Sequence, residues 1–181
     1  MQRTGQKPRL LVAYFSYTGN TKRVAERLLE RLRGSCDVQL IEILPRRKRS
    51  YLHWLAYSFV PNSEVEIETP PTNLSGFNSV LLGFPKWTLG CPPLNKFIHQ
   101  LSGVRVPKFF LFMTCGGFDE KRFLGGFTRK LEKMGCNIVE SLTVKRKQII
   151  EEAYHASVDG FAKRVEEQSR VGPAADQLAV S

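Results

Sequence analysis

Five short apolar runs, each followed by a stretch with helical spacing, constrain the fold of this chain more than any other feature. The first, Leu10-Leu11-Val12-Ala13-Tyr14-Phe15, shows no polar alternation, as expected of a strand buried on both faces. Val24, Leu28, Leu29 and Leu32 then recur at helical spacing, and Gly34 follows as a stop. Further strands are predicted over 38–43, 79–84, 109–113 and 138–144. Helices are predicted over about 51–59 (closed by Pro61), about 93–101, through Phe123, Phe127, Leu131 and Met134, and over about 148–167. Residues 44–77 are otherwise irregular. The end of the chain, from Ser169 to Ser181, reads as a disordered tail. Strands alternating with helices make right-handed βαβ units, hence an α/β fold with a parallel sheet and helices on both faces. The sequence shows no internal repeat and no second domain, so one domain over 1–168 is expected.

At 181 residues, the chain is long enough for one sizeable core. No apolar run approaches the roughly 20 residues that a spanning helix needs. Met1 to Pro8 lead into the first strand without the apolar stretch of a signal peptide, so a cytoplasmic location is expected. Cys36, Cys91, Cys115 and Cys136 are scattered, with no CxxC pair. Neither zinc, an iron–sulfur cluster nor a disulfide framework is indicated, and free thiols are expected. The net charge of +10 is unusual. It fits an acidic protein partner, nucleic acid, an anionic membrane surface, or simply a solvated basic face. No nucleic-acid-binding motif accompanies it.

In such a sheet, ligands bind beyond the carboxyl ends of the strands. Three loops leave those ends, at 16–21, 85–93 and 114–122, and all three should line one rim. The first is a polar turn opening a helix. Its amides and the helix dipole suit a phosphate, with hydroxyls from Ser16, Thr18 and Thr21, the amide of Asn20, and close backbone approach at Gly19. A turn using those hydroxyls only to cap the helix is the plainer reading. It is neither a Walker A loop nor a GxGxxG loop.

Phe15-Ser16-Tyr17-Thr18-Gly19-Asn20-Thr21 before an amphipathic helix resembles the FMN-phosphate signature of flavodoxins. Gly83-Phe84-Pro85-Lys86-Trp87 resembles the family's loop that sets an aromatic ring against the flavin, and Thr114-Cys115-Gly116-Gly117 the loop on its other side. Residues 131–139 resemble the family's lead into the fifth strand. The resemblance spans about 9–167 and implies a flavodoxin-like three-layer sandwich, a five-stranded parallel sheet of order 2-1-3-4-5, and FMN as cofactor. It implies that Ser16, Tyr17, Thr18, Gly19, Asn20 and Thr21 hold the phosphate. Pro85, Lys86, Trp87 and Thr88 would flank the isoalloxazine, and Thr114, Cys115, Gly116, Gly117 and Phe118 would meet its pyrimidine edge. Trp87 offers a stacking surface, or else packs into the core below the loop. Cys115 reads as an inert buried thiol more readily than as a flavin contact.

Two departures bear on function. Flavodoxins are usually strongly acidic, and positive charge near a reduced, anionic flavin should make it a weaker reductant. Where many flavodoxins have a Gly that permits a peptide flip beside the half-reduced flavin, this chain has Thr88, which tolerates positive φ poorly. A shifted register would bring Gly90 there instead. The segment Arg46-Arg47-Lys48-Arg49-Ser50-Tyr51-Leu52-His53-Trp54-Leu55 continues to Val60. Either Leu52, Leu55 and Phe59 pack a helix on the sheet, or the segment rests on an anionic membrane or partner. The expected function is FMN-linked electron transfer with acidic redox partners, needing no catalytic residue and no metal. The alternatives are a flavodoxin-like oxidoreductase (an NAD(P)H:quinone reductase or a protoporphyrinogen oxidase) and a flavin-free interaction module.

Overall fold

The computed structural model describes residues 7–70, 73–101 and 108–170. Five strands, β1 (Arg9–Tyr14), β2 (Asp37–Glu42), β3 (Ser79–Pro85), β4 (Phe109–Cys115) and β5 (Ile138–Lys145), alternate with six helices. The helices are α1 (Asn20–Leu32), α2 (Tyr51–Ser58), α3 (Pro92–Gln100), α4 (Glu120–Lys133), α5 (Arg146–Ile150) and α6 (His155–Arg170). The sheet is parallel throughout, in the order β2-β1-β3-β4-β5. This is the expected fold and strand order.

The apolar runs are continuous because the central strands are covered on both sides. Alternate residues of each strand feed two separate cores. Leu11, Ala13, Leu82, Phe84, Leu111 and Met113 face α3 and α4, meeting Leu94, Phe97, Ile98, Phe127 and Leu131. Leu10, Val12, Leu81, Phe110 and Phe112 face α1 and α6, meeting Val24, Leu28, Val158 and Phe161. The edge strands β2 and β5 are only partly buried. Outside the cores, Arg27 grips Asp159 with two hydrogen bonds of 2.8 and 2.7 Å, clamping α1 to α6. That guanidinium holds the Asp159 carboxyl below the usual carboxylate range.

Three expectations need correcting. The helix predicted over about 148–167 is two helices, broken by a turn in which Glu152 has a φ of 53°. The second runs on to Arg170, so Ser169 is no tail residue: it is buried, and its hydroxyl meets that of Ser79 at 2.8 Å. The rest of the predicted tail, like residues 1–6, lies outside the described residues. Finally, α2 does not turn Leu52 and Phe59 to the sheet. They are 73% and 59% exposed, while Trp54 and Ser58 are buried. No helix among the described residues is long and apolar enough to cross a membrane.

Gly83, in the middle of β3, is dictated by contact. A Cβ there would stand 2.1 Å from Cζ of the fully buried Phe112. Gly83→Ala should therefore destabilise the fold by about 1–3 kcal/mol through overpacking, read as a lower urea midpoint. An unchanged midpoint would show that Phe112 can move aside freely.

Candidate functional site

In the order β2-β1-β3-β4-β5 the chain reverses direction between β1 and β3, where an open α/β sheet leaves a crevice. The loops after β1, β3 and β4 meet there, as expected. Thr21 Oγ1 and Thr114 Oγ1 are 2.8 Å apart and buried, joining the first loop to the end of β4. The Lys86 amide donates to the Thr114 carbonyl at 2.7 Å, joining the second loop to the same strand end.

The first loop opens α1 through Gly19, whose φ of 85° is the left-handed conformation that favours glycine. A Cβ on Gly19 would meet nothing within 4 Å, so the turn borders open space. Ser16 Oγ accepts the Lys22 amide at 3.2 Å. No side chain caps the helix from the Gly19 position, and the amides of residues 17–21 find no acceptor among the described residues. These donors gather at the positive end of a 13-residue helix, the arrangement that binds anions. Tyr17 and Thr18 are exposed, and Ser16, Gly19 and Asn20 are half-buried. Thr21 departs from expectation, because its hydroxyl points inward to Thr114 rather than outward.

The second loop carries Pro85, Lys86, Trp87 and Thr88, all half-buried. Trp87 belongs to an aromatic group that sequence reasoning did not assemble. It stacks on Trp54, with centroids 6.0 Å apart and planes at 22°, and meets Phe15 edge-on at 5.4 Å and Tyr17 at 6.4 Å. Tyr17 in turn touches Tyr51 of α2 at 5.9 Å. The indole is thus backed by Trp54 yet still partly open. Thr88 is tied down: Ser58 Oγ donates to the Leu55 carbonyl and lies 2.6 Å from Thr88 Oγ1, so Thr88 is the donor between them. The Leu89 amide also bonds the Ser58 carbonyl at 2.9 Å. Neither Thr88 nor Gly90 has a positive φ.

The third loop is open. Gly116, Gly117 and Phe118 are exposed, Phe118 to 83%, and Gly117 has a φ of 101°. Asp119 precedes α4 at a φ of 50°. Thr114 and Cys115 are buried. The Lys86 ammonium sits 5.9 Å from the Phe118 ring and 5.8 Å from the Phe123 ring, so a positive charge lies between the second and third loops. Beside it Lys145 pairs with Glu120 at 3.6 Å. A groove of about 940 Å³ starts at Thr88 and Asp119 and runs between α3 and α4 past Phe123, Phe127 and Lys130. None of the residues lining this groove comes from the first loop.

No family model matches the chain. An uncharacterized protein of Archaeoglobus fulgidus is 34% identical over 139 residues, covering 76% of this chain and 86% of that protein. A candidate flavoprotein of Bacteroides uniformis superposes with a TM-score of 0.68 at 22% identity, over 87% of this chain and 99% of that one. A flavoprotein of Lactobacillus acidophilus, solved with FMN, gives 0.62 at 17% identity, over 82% and 99%. A flavodoxin from the Archaea gives 0.52 at 18% identity, over 86% and 99%.

This chain has the flavodoxin-like fold, and by sequence it belongs with the Archaeoglobus fulgidus protein. Its kinship with the Archaeoglobus fulgidus protein is one of sequence, and its likeness to the solved structures is one of fold. As a flavodoxin-like protein it departs from expectation mainly in the aromatic group, where Trp54, Phe15 and Tyr51 join Trp87.

The thiols of this flavodoxin-like chain are quiet. Burial pushes Cys91 up to about 12 and raises Cys115, the latter partly offset by the Gly117 amide. Both stay protonated at pH 8, so Ellman's reagent should modify neither while it titrates all four thiols in urea. Because the unfolded thiols ionise near 8.5, stability should fall as the pH rises past that value. Fast labelling of Cys115 in the native protein would contradict this account.

Proposed function

We propose that this chain binds FMN and passes electrons through it between redox proteins. The observation that carries the reading is the row of unpaired amides at residues 17–21, opening α1 on the same rim as the half-buried Trp87. The flavodoxin of the Archaea and the FMN-bound flavoprotein of Lactobacillus acidophilus share the fold, which supports it.

The residues fit the group. The amides of residues 17–21, with Ser16, Thr18 and Asn20, would hold the phosphate against the positive end of α1. The open space over Gly19 leaves room for it. Trp87, braced by Trp54, would lie against the ring, and Gly116 and Gly117 would let the third loop close on its edge. Bound FMN would supply reversible one- and two-electron chemistry, while the protein supplies binding, orientation and electrostatics. No side chain is assigned a catalytic role, because an electron carrier needs no acid or base.

Lys86 bears on the potential. An ammonium between the second and third loops favours negative charge on whatever lies there. Thr88, bonded to Ser58, holds the backbone of its loop against rotation. Both features favour a flavin that accepts its second electron readily.

Apoprotein should bind FMN and turn yellow, and riboflavin, which lacks the phosphate, should bind at least about 100-fold more weakly. Equal affinity for the two would sink the phosphate assignment. Lys86→Gln should lower the potential of the second electron by about 30–60 mV in an anaerobic titration. Rapid oxidation of NAD(P)H by the purified holoprotein would point to an enzyme instead of a carrier.

A further inference from the structure

The basic-apolar segment before and within α2 is not used by the site just described. Between residues 43 and 63 the sequence contains no Asp or Glu, yet four cations follow one another at 46–49. All four are exposed, and none forms an ion pair among the described residues. Three residues after Arg49, Leu52 is 73% exposed, and at the other end of α2 Phe59 and Val60 are 59% and 58% exposed. Buried Trp54 anchors the helix from the opposite side. Large apolar groups held outward by a helix that is itself fixed inward form an uncovered surface.

We propose that this surface docks on an anionic lipid membrane, with the cations at 46–49 among the headgroups and Leu52, Phe59 and Val60 dipping below them. Charge selects the occupant. In a symmetric pair of copies this patch would meet itself, bringing two sets of four cations together. Protein–protein rims mix both signs, whereas an acid-free run of cations beside bare aliphatic and aromatic groups matches a leaflet, negative outside and apolar beneath. The segment also adjoins the candidate site, through Tyr51 on Tyr17 and Trp54 on Trp87. Docking here would hold the rim of the site at the membrane surface. The inference does not depend on FMN being bound.

The test is cosedimentation of the full chain with vesicles of phosphatidylcholine and phosphatidylglycerol in equal parts, against phosphatidylcholine alone, at physiological salt. The mixed vesicles should bind it at least about tenfold more tightly. The double variant L52S and F59S keeps the net charge and should weaken binding about tenfold, with its thermal midpoint checking the fold. Replacing the four cations at 46–49 with Ser should weaken it further. Replacing Arg33, Arg129, Lys133 and Lys163, exposed elsewhere, should change it less than about twofold. The proposal is overturned if the chain ignores the mixed vesicles, if L52S and F59S have no effect, or if the distant cations matter as much as the local ones. Binding to an acidic protein with no affinity for vesicles overturns it as well.

Discussion

Parallel strands cannot be joined by tight turns, and this one constraint arranges the rest of the molecule. Each strand must be followed by a helix that returns over a face of the sheet. Every loop leaving a strand therefore emerges at the same edge. With β1, β3 and β4 side by side at the centre, the three polar loops that follow them have to meet. The Thr21–Thr114 bond and the Lys86 amide on the Thr114 carbonyl make β4 the post to which both other loops are tied. Just before these loops begin, the missing Cβ of Gly83 leaves room for the Phe112 ring to lie against β3.

The aromatic group is the other organising element. Phe15, Tyr17, Trp54 and Trp87 come from three separate segments and converge beside the rim. It gives Trp87 a rigid backing, and it fixes α2 so that its outer face stays out. The Ser58–Thr88 bond adds a polar tie between the same two segments. One short helix thus both steadies the loop beside the candidate ring site and presents the uncovered basic-apolar surface.

Much of the fold was legible because burial on two faces writes itself as uninterrupted apolar runs. Leu10 to Tyr14 and Phe109 to Met113 could hardly be anything but central strands. The site loops were legible through composition, since glycine and hydroxyl residues cluster where a strand gives way to a helix. What stayed hidden depends on partners far along the chain. Thr21 read as an outward donor because nothing local reveals Thr114, 93 positions away. Of the two readings open for Leu52 and Phe59, inward packing fails because Trp54 has the larger surface and finds Trp87. The break at Glu152 was invisible because helical spacing of apolar residues continues through it to Val158 and Phe161.

The proposed seat for a flavin phosphate is the set of amides at residues 17–21, which have no acceptor among the described residues. Amide proton–nitrogen NMR spectra of the uniformly labelled apoprotein, recorded as FMN is added, test it most directly. The amides of residues 17–21 should move strongly downfield, as donors to a dianion do, and riboflavin should leave them nearly unmoved. If FMN shifts residues of the α3–α4 groove and leaves 17–21 in place, the flavin sits elsewhere and the account of this rim is wrong.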